Sequence, residues 1–138
     1  MIREISKEES LEIDDRFYHE TTEKFEDKDI ALGIEEDGKL VAGIFGGMIA
    51  PHIFYIPTLF VDEQHRGKGY GKKLIQALEE KARSLGIAVI QLSTENGHAE
   101  HFYPKLGYEQ VGFYEHPIRN IREVFYTKKL KGGKIHET

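Results

Sequence analysis

The chain of 138 residues contains no cysteine and no tryptophan. The missing cysteine excludes a disulfide framework, a thiolate nucleophile and a zinc site built on cysteine. No segment approaches the roughly 20 apolar residues of a membrane-spanning helix. The N-terminal residues 1–10 show no apolar run of the kind that a signal peptide carries. We therefore expect a soluble, cytoplasmic protein.

The charge balance is acidic, with 24 acidic against 19 basic side chains and a net charge of −5. An acidic surface argues against binding to nucleic acid and mildly favours a cationic partner. The length fits one domain with a single core. Without an internal repeat or a linker, we expect a folded domain over residues 1–130 and a solvated tail over residues 131–138.

Strand and helix patterns alternate along the chain. Ser6 and Glu9 form a capping box, which predicts the start of one or two short helices within residues 6–25. Asp37-Gly38 between two apolar runs predicts a β-hairpin. An apolar face at helical spacing predicts a helix that opens near Gly71 and ends at Gly86. The remaining predicted elements are strands at residues 1–5, 53–61, 87–94, 108–115 and 121–130, and a short helix at 97–106 that Pro104 interrupts.

The strand at residues 53–61 contains Pro57, which cannot donate a ladder hydrogen bond and indicates a bulge. A strand–helix–strand connection of this length predicts that this strand lies parallel to residues 87–94. A bulge at Pro57 would open the sheet between the two strands. Gly43, Gly46 and Gly47 in the preceding strand indicate a close approach by a backbone or a ligand.

The most informative segment is a glycine-rich turn between an apolar strand and an amphipathic helix, with glycines at positions 67, 69 and 71. Such a junction leaves backbone N–H groups unpaired at the positive end of a helix, which favours binding of an anion, most naturally phosphate. Basic side chains add positive charge there, namely Arg66, Lys68, Lys72 and Lys73. A Walker loop would need Ser or Thr at position 73, and a dinucleotide fingerprint would need glycine at position 72.

Arg66, Gly69 and Gly71 match the Gln/Arg-x-x-Gly-x-Gly/Ala loop of the GNAT superfamily of acetyl-CoA-dependent N-acetyltransferases. Asn96, Tyr103, Gly107 and Tyr108 match the family's later motif, and the two motifs stand in the family's order. The chain resembles this superfamily over about residues 30–130. The resemblance implies an α/β (α+β) fold of one domain, with a mixed, bent and splayed sheet of six or seven strands and helices on both faces.

The resemblance also implies where acetyl-CoA binds. The backbone of Leu59 and Val61 would pair with the pantetheine arm, and an N–H of the same strand would stabilise the oxyanion. The amides of the glycine turn would hold the pyrophosphate, and its basic side chains would reach the phosphates. Asn96 would contact the pantetheine, or would only cap the next helix. The cofactor-binding residues expected on this basis are Leu59, Phe60, Val61, Arg66, Gly67, Lys68, Gly69, Tyr70, Gly71, Lys72 and Asn96.

Acetyl transfer requires a neutral amine, a stabilised oxyanion and a proton for the departing thiolate. Without cysteine, an acyl-enzyme on sulfur is excluded, and direct attack in a ternary complex is the simpler route. By resemblance, Tyr103 is the general acid, since a phenol with a pKa near 10 is protonated at neutral pH.

The general base is open at this stage. Many members of the superfamily use a glutamate on the bulged strand, but residues 54–58 contain no carboxylate. His52, Glu35, His116 or a water molecule are the candidates. The His98-x-x-His101 pair lacks a third ligand at a suitable spacing, so no metal is expected.

Two functions are compatible with the sequence. The first is an N-acetyltransferase that acts on a small-molecule amine or a protein amino group. The second is an acyl-CoA-binding regulatory module that has lost turnover. Residues 19–25 and 116–122 lie where the superfamily selects its acceptor, yet carry no recognisable signature. Either a monomer or a homodimer is expected.

Overall fold

The computed structural model describes residues 1–21, 25–95, 97 and 99–130. In chain order the helices are α1 (Lys7–Thr21), α2 (Tyr70–Ser84) and α3 (Phe102–Lys105), with a short 3₁₀ helix at Glu63–His65. The strands are β1 (Asp29–Glu36), β2 (Lys39–Ala50), β3 (Ile53–Val61), β4 (Val89–Glu95), β5 (Glu109–Glu115) and β6 (Arg122–Lys129). The tail at residues 131–138 lies outside the described residues.

The six strands form one mixed sheet in the order β1-β2-β3-β4-β6-β5. Among the strands that the structure describes, only the β3–β4 pair is parallel, as the intervening helix predicted, and the other neighbours are antiparallel. A single domain with an open mixed sheet and helices confirms the predicted fold class. The core lies between the sheet and α2, and it contains Leu74, Ile75, Leu78 and Ala82 of the helix.

The predicted strand at residues 1–5 is wrong, because these residues form no strand and are exposed to solvent. Arg3 instead pairs with Glu9 at 2.8 Å and holds the segment against the start of α1. The capping box itself is confirmed, since Ser6 and Glu9 exchange hydrogen bonds of 2.9 and 3.1 Å. None of residues 7–20 of helix α1 is buried, and Leu11, Ile13 and Phe17 are all about half exposed.

Local turn chemistry sets the ends of two further elements. Asp37 and Gly38 both have positive φ, 52° and 75°, as the tight turn between β1 and β2 requires. At the end of α2, Gly86 has φ 79°. The amides of Gly86 and Ile87 bond the carbonyls of Arg83 and Ala82, which closes the helix as a Schellman motif.

The helix predicted over residues 97–106 is shorter than expected. Gly97 and Ala99 have positive φ, 87° and 56°, which a continuing α-helix does not allow. Helix α3 therefore begins at Phe102. Pro104 lies in its first turn, where a missing N–H costs no helical hydrogen bond.

Candidate active site

A gap opens in the sheet between β3 and β4. The parallel pairing ends at Ile56 and Leu92, whereas β4 continues along β6 to Glu95. Between β2 and β3, Ile56 and Pro57 together face the single residue Gly46, so the bulge predicted at Pro57 is present. From Pro57 onward, β3 therefore leaves β4, as the sequence predicted.

Gly46 has no room for a side chain. A Cβ there would collide with the Tyr55 carbonyl oxygen and approach the Phe54 ring to 2.8 Å. The glycines of β2 indicated a close approach, and at Gly46 the approaching group is the backbone of the bulged strand.

The gap leads into a cavity of about 750 Å³, within the usual range of ligand sites. It brings together β3, the glycine turn, the start of α2, the end of β4 and α3. Of the residues predicted from the sequence, Leu59, Phe60, Val61, Arg66, Gly67, Gly69, Tyr70, Gly71, Lys72 and Tyr103 line it. Lys68 does not line it, and Asn96 lies outside the described residues. The sequence did not single out His65, Thr94, Ala99 and Phe102, which also line it.

The glycine turn presents backbone amides to this cavity. Gly67 and Gly69 both have φ 82°, which L side chains rarely adopt. The first hydrogen bond of α2 runs from the Lys73 amide to the Gly69 carbonyl, at 3.1 Å. Within the described part of the chain, no protein acceptor is found for the amides of residues 67–72. The Arg66 amide, in contrast, donates to the Glu63 carbonyl at 3.4 Å.

The third glycine, Gly71, allows α2 to pack closely against α3. A Cβ at Gly71 would lie 3.3 Å from Cζ of Phe102, so α2 and the residue before Tyr103 are in close contact. The spacing of the turn therefore fixes both the free amides and the position of α3 beside them.

The basic side chains of the turn are placed differently from one another. Arg66 folds back onto β3, where its Nε donates to the Val61 carbonyl at 2.9 Å and its guanidinium lies 5.7 Å from the Phe60 ring centroid. Lys72 lines the cavity. Lys68 extends to Glu36, with Nζ 3.6 Å from the carboxylate.

Glu36, at the end of β1, ties the glycine turn to the β1–β2 hairpin. The Tyr70 hydroxyl donates to this carboxylate, and His65 Nε2 lies 3.2 Å from it. The rings of His65 and Tyr70 stack with centroids 6.4 Å apart. No pattern in the sequence indicates this contact, because it joins residues about 30 positions apart through tertiary packing.

Tyr103 is 6 % exposed, and its ring packs among Phe102, Tyr108 and Tyr126 at centroid distances of 5.0, 5.6 and 5.7 Å. No hydrogen-bond partner for its hydroxyl is found among the described residues. Burial, with a smaller contribution from Tyr126, raises the pKa of Tyr103 to about 12. The phenol therefore retains its proton across the neutral range and faces the cavity as a donor.

A buried hydrogen-bond network supports the cluster of aromatic rings around Tyr103 on the side away from the cavity. Tyr108 donates to Glu79 of α2 at 2.8 Å, and Lys128 of β6 lies 3.0 Å from the same carboxylate. Burial and the negative charge of Glu79 raise the pKa of Tyr108. These bonds join α2, the start of β5 and β6 behind Tyr103.

None of the three side chains considered as a base lines the cavity. His52 precedes β3 at the end opposite the gap, with Nδ1 2.9 Å from the Gly86 carbonyl. Glu35 lies on β1, which β2 separates from β3. Nδ1 of His116 already accepts the amides of Ile118 and Arg119 at 3.1 and 3.0 Å.

Among the described residues, no group of three or more His, Cys, Asp or Glu side chains is arranged to hold a metal ion. His101 is exposed, and His98 lies outside these residues. In the same part of the chain, no helix has both the length and the apolar character to span a bilayer.

Comparison with known proteins agrees with this geometry. The profile of the acetyltransferase (GNAT) family matches residues 1–108. The acetyltransferase Atu2258 of Agrobacterium fabrum is 33% identical over 85 residues, which cover 62% of each chain. The N-alpha-acetyltransferase RimI of Mycobacterium tuberculosis is 30% identical over 105 residues, which cover 74% of this chain and 66% of RimI. The matches thus span less than two thirds of either relative.

Solved structures show the same fold. A crystal structure of an acetyltransferase from Bacillus cereus superposes with a TM-score of 0.79 at 27% identity, and the match covers 94% of this chain and 97% of that one. A Bacillus anthracis protein crystallised in complex with acetyl coenzyme A has a TM-score of 0.69 at 22% identity, over 83% of this chain and 68% of that one. With the family profile covering most of its length, this chain belongs to the acetyltransferase (GNAT) family.

Proposed function

We propose that this chain transfers the acetyl group of acetyl-CoA to a primary amine by direct attack in a ternary complex. The observation that carries the proposal is the convergence of two features on one cavity. The unpartnered amides of residues 67 and 69–72 lie at one side of it, and the buried Tyr103 hydroxyl lies at another.

The residues present fit coenzyme A. Five unpartnered amides of the glycine turn and the first turn of α2, together with the Lys72 side chain, are suited to a diphosphate. The edge of β3 from Pro57 to Val61 no longer pairs with β4. Apart from the Val61 carbonyl, which accepts from Arg66, this edge is available to a linear amide such as the pantetheine arm. Acetyl-CoA would supply the activated thioester, and the chain would supply binding, orientation and a proton.

In this proposal Tyr103 protonates the departing thiolate. Its raised pKa keeps the proton on the hydroxyl, and the three surrounding rings hold the hydroxyl in one position. Arg66 acts mainly by stabilising the end of β3 through its hydrogen bond to the Val61 carbonyl. It therefore also contributes to phosphate binding indirectly, by fixing the shape of the cavity wall.

The acceptor is proposed only as a class. Named relatives include N-alpha-acetyltransferases and an acetyltransferase of L-methionine sulfoximine and L-methionine sulfone. We therefore propose as acceptor a primary amino group on a small molecule or on a peptide, which includes the acceptors named for both kinds of relative. The cytoplasmic location and the monomeric or dimeric state remain predictions from the sequence.

The test is release of free thiol from acetyl-CoA in the presence of a panel of polyamines, aminoglycosides, amino acids and peptides with free N-termini. Turnover above background with at least one amine supports the proposal. Binding of acetyl-CoA without thiol release across the whole panel would instead support the acyl-CoA-binding module.

A further inference from the structure

We propose that Glu123 of β6 is the carboxylate that accepts the proton of the attacking amine. This inference rests on the proposed function and extends it to the face of the sheet opposite Tyr103. It assigns the base to a residue that the sequence did not single out.

The first step concerns the position of Ser93. The last pair between β3 and β4 is Ile56 with Leu92, so Ser93 is the first β4 residue beyond the end of the pairing. Leu92 is buried in the core, and side chains alternate along a strand. The Ser93 side chain therefore lies on the opposite face, beside the mouth of the gap.

The second step concerns Glu123. The Ser93 hydroxyl donates to Glu123 Oε2 at 2.8 Å, which holds this carboxylate next to the gap. Val124 and Tyr126 of β6 are buried on the core face, so Glu123 lies on the same far face as Ser93. Ser93 is the one hydrogen-bond partner found for the Glu123 side chain within the described residues. The second carboxylate oxygen of Glu123 is therefore available to a substrate.

The two faces then have different roles. Tyr103 reaches the gap from the core face, where its ring contacts Tyr126. Glu123 lies on the far face and, like the candidates considered from the sequence, does not itself line the cavity. Unlike them, its carboxylate is joined to the end of the β3–β4 pairing through Ser93. A thioester in the gap would have a proton donor for sulfur on one side and a proton acceptor for nitrogen on the other.

The step balances without a further reactant. The amine nitrogen forms the C–N bond to the acetyl carbon, and the C–S bond breaks. The sulfur takes the proton of the Tyr103 hydroxyl, and the nitrogen loses one proton to the Glu123 carboxylate. Exchange with solvent then restores both residues.

The charged and titratable neighbours of Glu123 come from two strands and the β5–β6 turn. Glu95 lies directly opposite on β4, and Arg119 pairs with it at 3.0 Å. Tyr114 lies opposite on β5. Arg119 neutralises Glu95, whereas no ion pair of Glu123 is found within the described residues, so Glu123 can stabilise the positive charge that develops on the attacking nitrogen.

The test compares Glu123→Gln with wild type, using the best amine of the panel. We expect kcat to fall about 10²- to 10⁴-fold, the usual contribution of a general base. The affinity for acetyl-CoA, measured by calorimetry, should stay within about twofold. Both proteins should lose rate as the pH falls below the pKa of the amine, because only the neutral amine attacks. Wild type should show a further loss at acid pH as the Glu123 carboxylate becomes protonated, and Glu123→Gln should lack this further loss.

Two further variants test whether a loss of kcat in Glu123→Gln has a merely structural cause. Glu115→Gln removes a carboxylate that pairs with Arg122 at 2.8 Å, on the edge strand, and should leave kcat and the pH profile unchanged. Ser93→Ala frees Glu123 without removing it, and should lower kcat by less than about tenfold, the scale of one hydrogen bond.

An unchanged kcat and pH profile for Glu123→Gln, with active wild type, would overturn the assignment of Glu123 alone. Absence of thiol release from wild type with every amine would overturn the transferase proposal, and the base with it.

Discussion

Removal of the Tyr103 hydroxyl tests the proposed acid with little disturbance of the fold. In Tyr103→Phe the aromatic ring keeps its contacts with Phe102, Tyr108 and Tyr126. The hydroxyl has no protein partner among the described residues, so no buried group loses a hydrogen bond. We therefore expect the free energy of unfolding at pH 7 to change by less than about 1 kcal/mol.

The effect on activity should be large. A general acid contributes about 10²- to 10⁴-fold to a rate, and we expect kcat to fall within this range. The affinity for acetyl-CoA should hardly change, because the hydroxyl acts only as the thiolate departs. Thiol release gives kcat, and calorimetry gives the affinity.

The raised pKa adds a second measurement with a definite sign. A folded-state pKa of about 12, against about 10 in an unfolded chain, means that the folded state holds this proton more tightly. The resulting stability is complete below pH 10 and is lost as the pH rises from 10 to 12. The difference corresponds to about 3 kcal/mol, so wild type should lose stability over this range that Tyr103→Phe keeps.

Urea unfolding at pH 8, 10 and 11 would measure this difference. Equal losses of stability in both proteins would refute the burial argument for Tyr103. Unchanged kcat in Tyr103→Phe, with active wild type, would refute its role as the acid.

Three further predictions concern the frame of the site. Arg66→Glu should raise the Kd of acetyl-CoA at least about tenfold, since it reverses a charge in the cavity and frees the end of β3; unchanged affinity in calorimetry would contradict the phosphate site. Glu79→Ala should destabilise the fold by about 3–5 kcal/mol in urea unfolding, because Glu79 is 4 % exposed and its buried hydrogen-bond partners would lose their carboxylate acceptor. Its neighbour Glu80, with a side chain 80% exposed, is the matched control, and equal losses would count against the network. Gly46→Ala should cost about 1–3 kcal/mol through collision with β3, whereas Gly112→Ala, in open space, should not; equal melting temperatures would contradict the close approach.

Much of the fold follows from contacts that are short in sequence. The capping box of Ser6 and Glu9, the Asp37-Gly38 turn and the stop at Gly86 each depend on neighbouring residues. Pro57 likewise acts through its own missing N–H, so the bulge could be predicted before its partner strand was known.

Failures of prediction occurred where local signals were weak. Residues 1–5 have the apolar content of a short strand but find no neighbouring strand to pair with. The start of α3 depends on positive φ at Ala99, a residue that ordinarily favours helix, so composition could not indicate it.

The sequence alone determined most of the elements in their order and the free amides of the glycine turn, because each depends on neighbouring residues. Through the family resemblance it also indicated Tyr103 as the proposed proton donor. Only the tertiary structure decided that Glu36 ties the turn to β1 and that Ser93 of β4 bonds Glu123 of β6. Such contacts join residues about 30 positions apart, and strand register and helix packing bring them together. A pattern within one segment carries no information about that register.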